Sequence, residues 1–389
     1  MDQLFVHFHS LLNGIPTTFI RSAYLNINWK NRMIGLTGPR GVGKTTLLLQ
    51  HIKQNLNTSD TLYVIAEDFY FATNRLLDLA ATFVKQGGRY LFIDEIHKYP
   101  DWSKELKLIY DYYPDLHVIF SGSSILDIKK GAADLSRRAV MYHMQGLSFR
   151  EYLELFHDIK APIYTLKDIL QHKVRIPDLT HPLPLFKQYL QGGYYPFSIE
   201  EDYDIRLQQV IIQSLETDVP LFAGLNANTG RKLKQLLGII AKSVPFKPNF
   251  SKIAEMLSVS RNSIADYCIY IEEAGLIAQL RDATKGIRSL GKVNKIYLDN
   301  TNLVYSLAKQ NANKGNIRET FFLNQTRTSH DVVASPVADF RIDAFTFEVG
   351  GKNKTKKQIQ KVNQAYIIKD DIETGYMQTI PLWHFGLMY

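Results

Sequence analysis

An α/β fold, opening with a parallel sheet and continuing into helical and mixed segments, is predicted by three observations. Short apolar runs at 33–37, 61–66, 89–93 and 117–120 alternate with stretches whose apolar residues recur at helical spacing. Runs that are apolar on both faces suit strands buried in a parallel sheet. Strand–helix alternation of this kind gives right-handed crossovers. Each run also ends in glycine, carboxylate or hydroxyl residues, the composition of the sheet edge where open α/β folds gather ligands.

The first run leads into Gly38-Pro39-Arg40-Gly41-Val42-Gly43-Lys44-Thr45, a complete G-x-x-x-x-G-K-[ST] pattern. Its glycines let backbone N–H groups curl around a phosphate that a side chain would block. Lys44 supplies a compact positive charge for the β- and γ-phosphates of a nucleoside triphosphate such as ATP. Thr45 offers a hydroxyl to Mg²⁺. Thr46 continues into a leucine-rich helix whose positive dipole end faces the same anion. Arg40 is expected to face solvent or a partner.

The second run, 61–66, ends in Glu67 and Asp68, and a helix is expected over 74–85. The third ends in Asp94-Glu95, which places Asp94 to hold the Mg²⁺ hydration shell and Glu95 to act as general base on a water. His97 is expected to orient the adjoining loop. A helix follows over 102–113, then the fourth run with Ser121 and Ser123 at its end.

Bulk composition sets bounds. The 389 residues are 45% hydrophobic and 22% charged, ordinary for globular domains and enough for two to four of them. The net charge of +8 is compatible with nucleic acid without requiring it. A single cysteine, Cys268, excludes an internal disulfide framework. No stretch approaches the ~18 apolar residues of a membrane span, and the first residues lack a signal-peptide pattern. A cytoplasmic protein with no membrane partner is the expectation.

The strand pattern with the motifs at 38–45, 89–95 and 117–124 resembles AAA+-type P-loop ATPases (ASCE type), and more narrowly the prokaryotic group related to archaeal and STAND ATPases. The resemblance implies a sheet in which the hydroxyl-bearing strand lies between the loop strand and the Asp-Glu strand. It makes Ser121 or Ser123 the residue that senses the γ-phosphate. It also makes Arg137 or Arg138, ahead of a last core strand at 139–144, an arginine finger acting in cis or across a homo-oligomer interface.

Beyond a core at 1–147, the resemblance implies a helical lid over 148–228, a winged helix-turn-helix over 229–297 and a small α+β nuclease-like domain over 298–389. Ser148 and Glu151 form a capping-box pattern at the start of the lid. Ser260 is a good N-cap and Gly275 a good helix stop around the second helix of the helix-turn-helix. Arg261, Asn262 and Ser263 would then face duplex DNA, with Lys285, Arg288 and Lys292 on phosphates. In the last segment Asp339 and Glu348 stand where a PD-(D/E)xK nuclease binds metal, with Glu319 able to join them. Gly350 replaces the lysine of the E-x-K end, and Lys352 is the nearest substitute. The expected function is Mg²⁺-dependent ATP hydrolysis driving a switch that controls DNA or a protein partner. The alternatives are a nucleotide-gated DNA nuclease using Asp339 and Glu348, and a slow-turnover ATP-binding signalling scaffold.

Overall fold

The computed structural model describes residues 1–122, 135–243, 248–283, 292–308 and 312–389. Two compact units emerge: 1–146 with 221–224, and 147–220 with 225–389. Ser123, Lys285 and Arg288 lie outside the described residues.

The first unit is built on five strands, β1 (Met33–Thr37), β2 (Thr61–Ile65), β3 (Tyr90–Asp94), β4 (His117–Gly122) and β5 (Val140–His143). All pairs are parallel, in the order β2-β3-β4-β1-β5. The hydroxyl-bearing strand β4 therefore lies between the loop strand and the Asp-Glu strand, as the resemblance implies. Helices Leu76–Lys85 and Trp102–Tyr112 bury Leu79, Phe83, Leu106 and Ile109 in one cluster with Val64, Ile93, Val118 and Phe120. Helix Lys44–Asn55 buries Leu47, Leu48 and Ile52. Its polar residues are satisfied as they are buried: Gln50 donates to the carbonyls of Pro16 and Phe19, both at 2.8 Å.

The second unit begins with helix Phe149–His157, whose N-terminus carries the predicted capping box between Ser148 and Glu151. Helices Phe250–Met256 and Arg261–Glu273 follow further along, the latter capped by the Ser260 side chain, and Gly275 has φ +74°. An antiparallel pair comes next, β6 (Ile277–Arg281) with β7 (Val293–Leu298).

A five-stranded mixed sheet closes the chain, in the order β12-β11-β10-β9-β8. Its strands are β8 (Val332–Ala334), β9 (Phe340–Ile342), β10 (Phe345–Gly350), β11 (Ala365–Lys369) and β12 (Thr379–Pro381). Strands β8, β9 and β10 are antiparallel, whereas β10, β11 and β12 run parallel. Helix Lys314–Thr326 packs on β10, with Phe322 against Phe340 and Phe347. A buried polar network joins segments far apart in sequence. Asp299 pairs with Arg327, accepts from Tyr194 at 3.3 Å and from Asn324, and Asn302 accepts from the Tyr194 N–H at 2.9 Å.

Candidate nucleotide site

The glycine-rich loop needs backbone that other residues avoid. Gly38, Gly41 and Gly43 have φ of +152°, +82° and +96°. A Cβ at Gly38 would sit 2.2 Å from the Met144 carbonyl oxygen, so the loop presses directly on the residues that follow β5. Arg21, 6% exposed, ties the same two segments together. Its guanidinium donates to Val42 O at 2.5 Å and to Gln145 O and Gly146 O at 2.8 Å. Val42 and Pro39 are buried, while Thr45 is exposed at the helix start. Lys44 is buried and its Nζ donates to Gly38 O and Pro39 O, each at 2.8 Å. That ammonium therefore rests inside the loop, where a phosphate would compete for it.

Asp94 is the second pole. It is 3% exposed and sits at the end of β3. Its Oδ2 accepts from the Thr45 hydroxyl and, at 2.6 Å, from the Tyr63 hydroxyl. Its Oδ1 accepts from Ser121 and from the Glu95 N–H at 3.0 Å. The loop threonine, the Asp-Glu strand and the β4 serine thus converge on one carboxylate. Tyr63 has no counterpart in the sequence reading. Its signal was an inward-facing tyrosine in a buried strand, and burial followed by the Asp94 charge pushes its hydroxyl far above the usual phenol range.

Glu95 adopts φ +51°, a left-handed backbone for a residue that carries a Cβ. Its Oε2 lies 3.2 Å from His97 Nε2 and 3.7 Å from the Arg40 guanidinium. Two expectations change here. Arg40 turns toward Glu95 and is 29% exposed. His97 meets the Glu95 carboxylate as well as belonging to its own loop. Burial, and then the charges of Lys98, Lys44 and Arg40, hold the His97 imidazole down at about 3, so it is neutral near pH 7. Arg138 forms a two-pronged pair with Asp111, at 3.0 and 3.1 Å. That contact takes its guanidinium away from the finger role, whereas Arg137 is exposed with φ +70°.

In the second unit the acidic residues are matched by lysines. Lys295 Nζ bridges Glu319 at 3.1 Å and Asp339 at 3.3 Å, and Tyr297 donates to Glu319 at 2.6 Å. Asp339 also accepts from the Val349 N–H at 3.0 Å. Glu348, 3% exposed, pairs with Lys354 rather than with Lys352. A Cβ at Gly350 would fall 2.8 Å from Lys354 Cβ and Cδ, so the missing side chain at 350 is what admits Lys354. Among the described residues no group of three or more His, Cys, Asp or Glu is placed to hold a metal ion. Asp339 and Glu348, expected as metal ligands in the nuclease alternative, each meet a lysine in this structure.

At the predicted DNA face, Arg261 and Asn262 are exposed, but Ser263 closes the cap of its own helix, its Oγ 2.8 Å from Ser260 Oγ. Glu272 turns inward, accepting from the Gln279 N–H and side-chain amide at 2.7 Å each.

Residues 30–153 match the family described as an AAA domain, and residues 183–314 match a family described as a domain of unknown function. With its β2-β3-β4-β1-β5 parallel sheet and glycine loop, the first unit has the fold of an AAA-type P-loop ATPase. An uncharacterized protein of Methanocaldococcus jannaschii is 26% identical over 277 residues, 65% of this chain, and the chain spans 57% of that relative's length. Among solved structures, a Walker-type ATPase of Pyrococcus abyssi is 12% identical with a TM-score of 0.45, over 77% of this chain and 99% of that one. AMPPCP-bound DnaA of Aquifex aeolicus is 13% identical with a TM-score of 0.23, over 68% of this chain and 86% of that one. No described helix is long and apolar enough to cross a membrane.

Proposed function

We infer that this protein is a Mg²⁺-dependent ATPase whose nucleotide state controls a DNA or protein partner. The observation that carries the reading is the convergence of Thr45, Tyr63 and Ser121 on Asp94, with Lys44 and Glu95 beside it. The side chains that donate to Asp94 here are neutral hydroxyls. A hydroxyl and a carboxylate are the oxygen donors that suit Mg²⁺. Thr45 and Asp94 would hold the ion, which when bound draws charge from the phosphate oxygens.

The chain's own groups do the rest. The loop N–H groups cradle the phosphates, and Lys44 exchanges its carbonyl contacts for the β- and γ-oxygens. Glu95 orients a water and accepts its proton as the water attacks. Ser121, through Asp94, links the state of the site to β4, and Arg137 is the exposed arginine able to meet a γ-phosphate across an interface. A loss of γ-phosphate contacts on hydrolysis would then reset the switch. Duplex DNA is the partner favoured for the second unit, because Arg261 and Asn262 are exposed at a helix start and Glu272 is turned away.

Steady-state ATPase rates of wild type, Lys44→Ala and Glu95→Gln, with and without duplex DNA, test the reading. Wild type is expected to exceed both variants and to respond to DNA. A wild-type rate no higher than that of Lys44→Ala under both conditions refutes the ATPase. An unstimulated but active enzyme refutes the DNA partner alone.

A further inference from the structure

The arginine inside the phosphate loop is bound to the very carboxylate that the chemistry needs. Arg40 and His97 share one oxygen, Oε2 of Glu95, at 3.7 and 3.2 Å. Side-chain exposures of 29% for Arg40, 21% for Glu95 and 0% for His97 place the trio at the rim of the site, not in open solvent. An oxygen already facing an N–H donor and a cation is poorly presented to a water.

We propose that Arg40 is a latch supplied in cis by the loop, resting on Glu95 when no γ-phosphate is present and moving to the γ-phosphate when one arrives. This rests on the ATPase reading above. Arg40 lies between two glycines of positive φ, Gly38 and Gly41, one residue after Pro39, whose carbonyl holds Lys44. A triphosphate that draws Lys44 off that carbonyl brings its terminal group to the same stretch of loop. There the guanidinium can exchange the Glu95 carboxylate for a phosphate that carries about two charges and three acceptor oxygens. Glu95 is then released to the water while His97, neutral, still orients it. A diphosphate lacks the competing group, so Glu95 stays latched. The latch therefore makes the base available when there is something to hydrolyse.

Calorimetric titration of the full chain with Mg²⁺-ADP and with Mg²⁺-AMPPCP, for wild type, Arg40→Ala and Arg40→Lys, tests this. In Arg40→Ala, ADP affinity is expected to stay within about twofold. AMPPCP affinity is expected to fall roughly ten- to hundredfold, the worth of a charge-assisted contact. Arg40→Lys keeps a point charge without the fork and is expected to restore part of the preference. Glu95→Gln, which removes the resting partner, is expected to tighten AMPPCP without changing ADP. An AMPPCP-to-ADP preference unchanged in Arg40→Ala, or equal loss of both ligands, overturns the latch while leaving the ATPase intact. Wild type that binds neither nucleotide overturns the ATPase reading and the latch with it.

Discussion

Tyr63→Phe isolates one donor from the Asp94 cluster with the least collateral change. The ring is 2% exposed and packs near Phe8, so removing the hydroxyl leaves the apolar packing in place. What is lost is a 2.6 Å hydrogen bond to a buried carboxylate. Bonds to charged groups contribute about 1.5–3 kcal/mol. Asp94 keeps Thr45, Ser121 and the Glu95 N–H, so the expected loss lies at the lower end of that range. Hydrogen exchange reads this where it occurs, on amides 91–94 of β3 and 62–65 of β2, without assuming that both units unfold together. Those amides should exchange roughly tenfold faster in Tyr63→Phe, with unit 2 unaffected. Unchanged exchange in β3 would refute the claim that Tyr63 holds Asp94.

Three further outcomes follow from particular contacts. Arg21→Met removes three donors from buried carbonyls and should lower the stability of the first unit by about 3–5 kcal/mol, seen as early melting of Trp29 and Trp102 fluorescence. Acid should weaken the same unit, because burial depresses His97 to about 3 and His51 to about 4. The unfolded chain takes up those protons below about 6.5 and the folded chain does not, so stability is lost as pH falls through 6 and 5, by roughly 2 kcal/mol per histidine at pH 5. His97→Gln should flatten that acid slope, and an unchanged slope would show that the histidine contributes nothing. In the second unit Lys354→Ala strands buried Glu348 and should cost about 1–3 kcal/mol in urea unfolding. Adding Glu348→Gln should recover part of it, and no recovery would argue against the pair.

The parallel sheet and its loop were legible because their signals are local. An apolar run and a glycine pattern are complete within about fifteen residues, and a strand end is read from the residue at that end. The place of the hydroxyl-bearing strand, between the loop strand and the Asp-Glu strand, came from resemblance and holds in the structure. Tyr63 and Arg21 were missed for the opposite reason. Each acts at a distance in sequence, Tyr63 on Asp94 and Arg21 on Gln145, and no periodicity reports which inward-facing polar group meets which partner. Arg40 was expected to face solvent or a partner, and its contact with Glu95 is a tertiary meeting that the loop pattern does not report. Spacing along the chain put Lys352 nearer Glu348, whereas the backbone after Gly350 returns at Lys354.

Asp94 and the acidic group of the closing sheet differ in a way that bears on where a cation belongs. Asp94 accepts from three hydroxyls and an N–H, which orient its oxygens. Glu319, Asp339 and Glu348 instead meet Lys295 and Lys354, which offset their charge. Burial drives Glu348 and Glu319 upward, Asp339 adds to that push, and Lys354 and Lys295 act against it. A divalent ion arriving there would have to displace an ammonium from a partly buried position. At Asp94 it would displace hydroxyl hydrogens that can rotate away. On the proposed reading, that asymmetry would favour a cation at the loop over one at the closing mixed sheet. Lys295→Met should reverse the second half of that statement by leaving Glu319 and Asp339 without their cation. Stabilisation of that variant, but not of wild type, by Mn²⁺ in a melt reporting on Trp383 would establish it. Mn²⁺ stabilisation of wild-type unit 2 would defeat it.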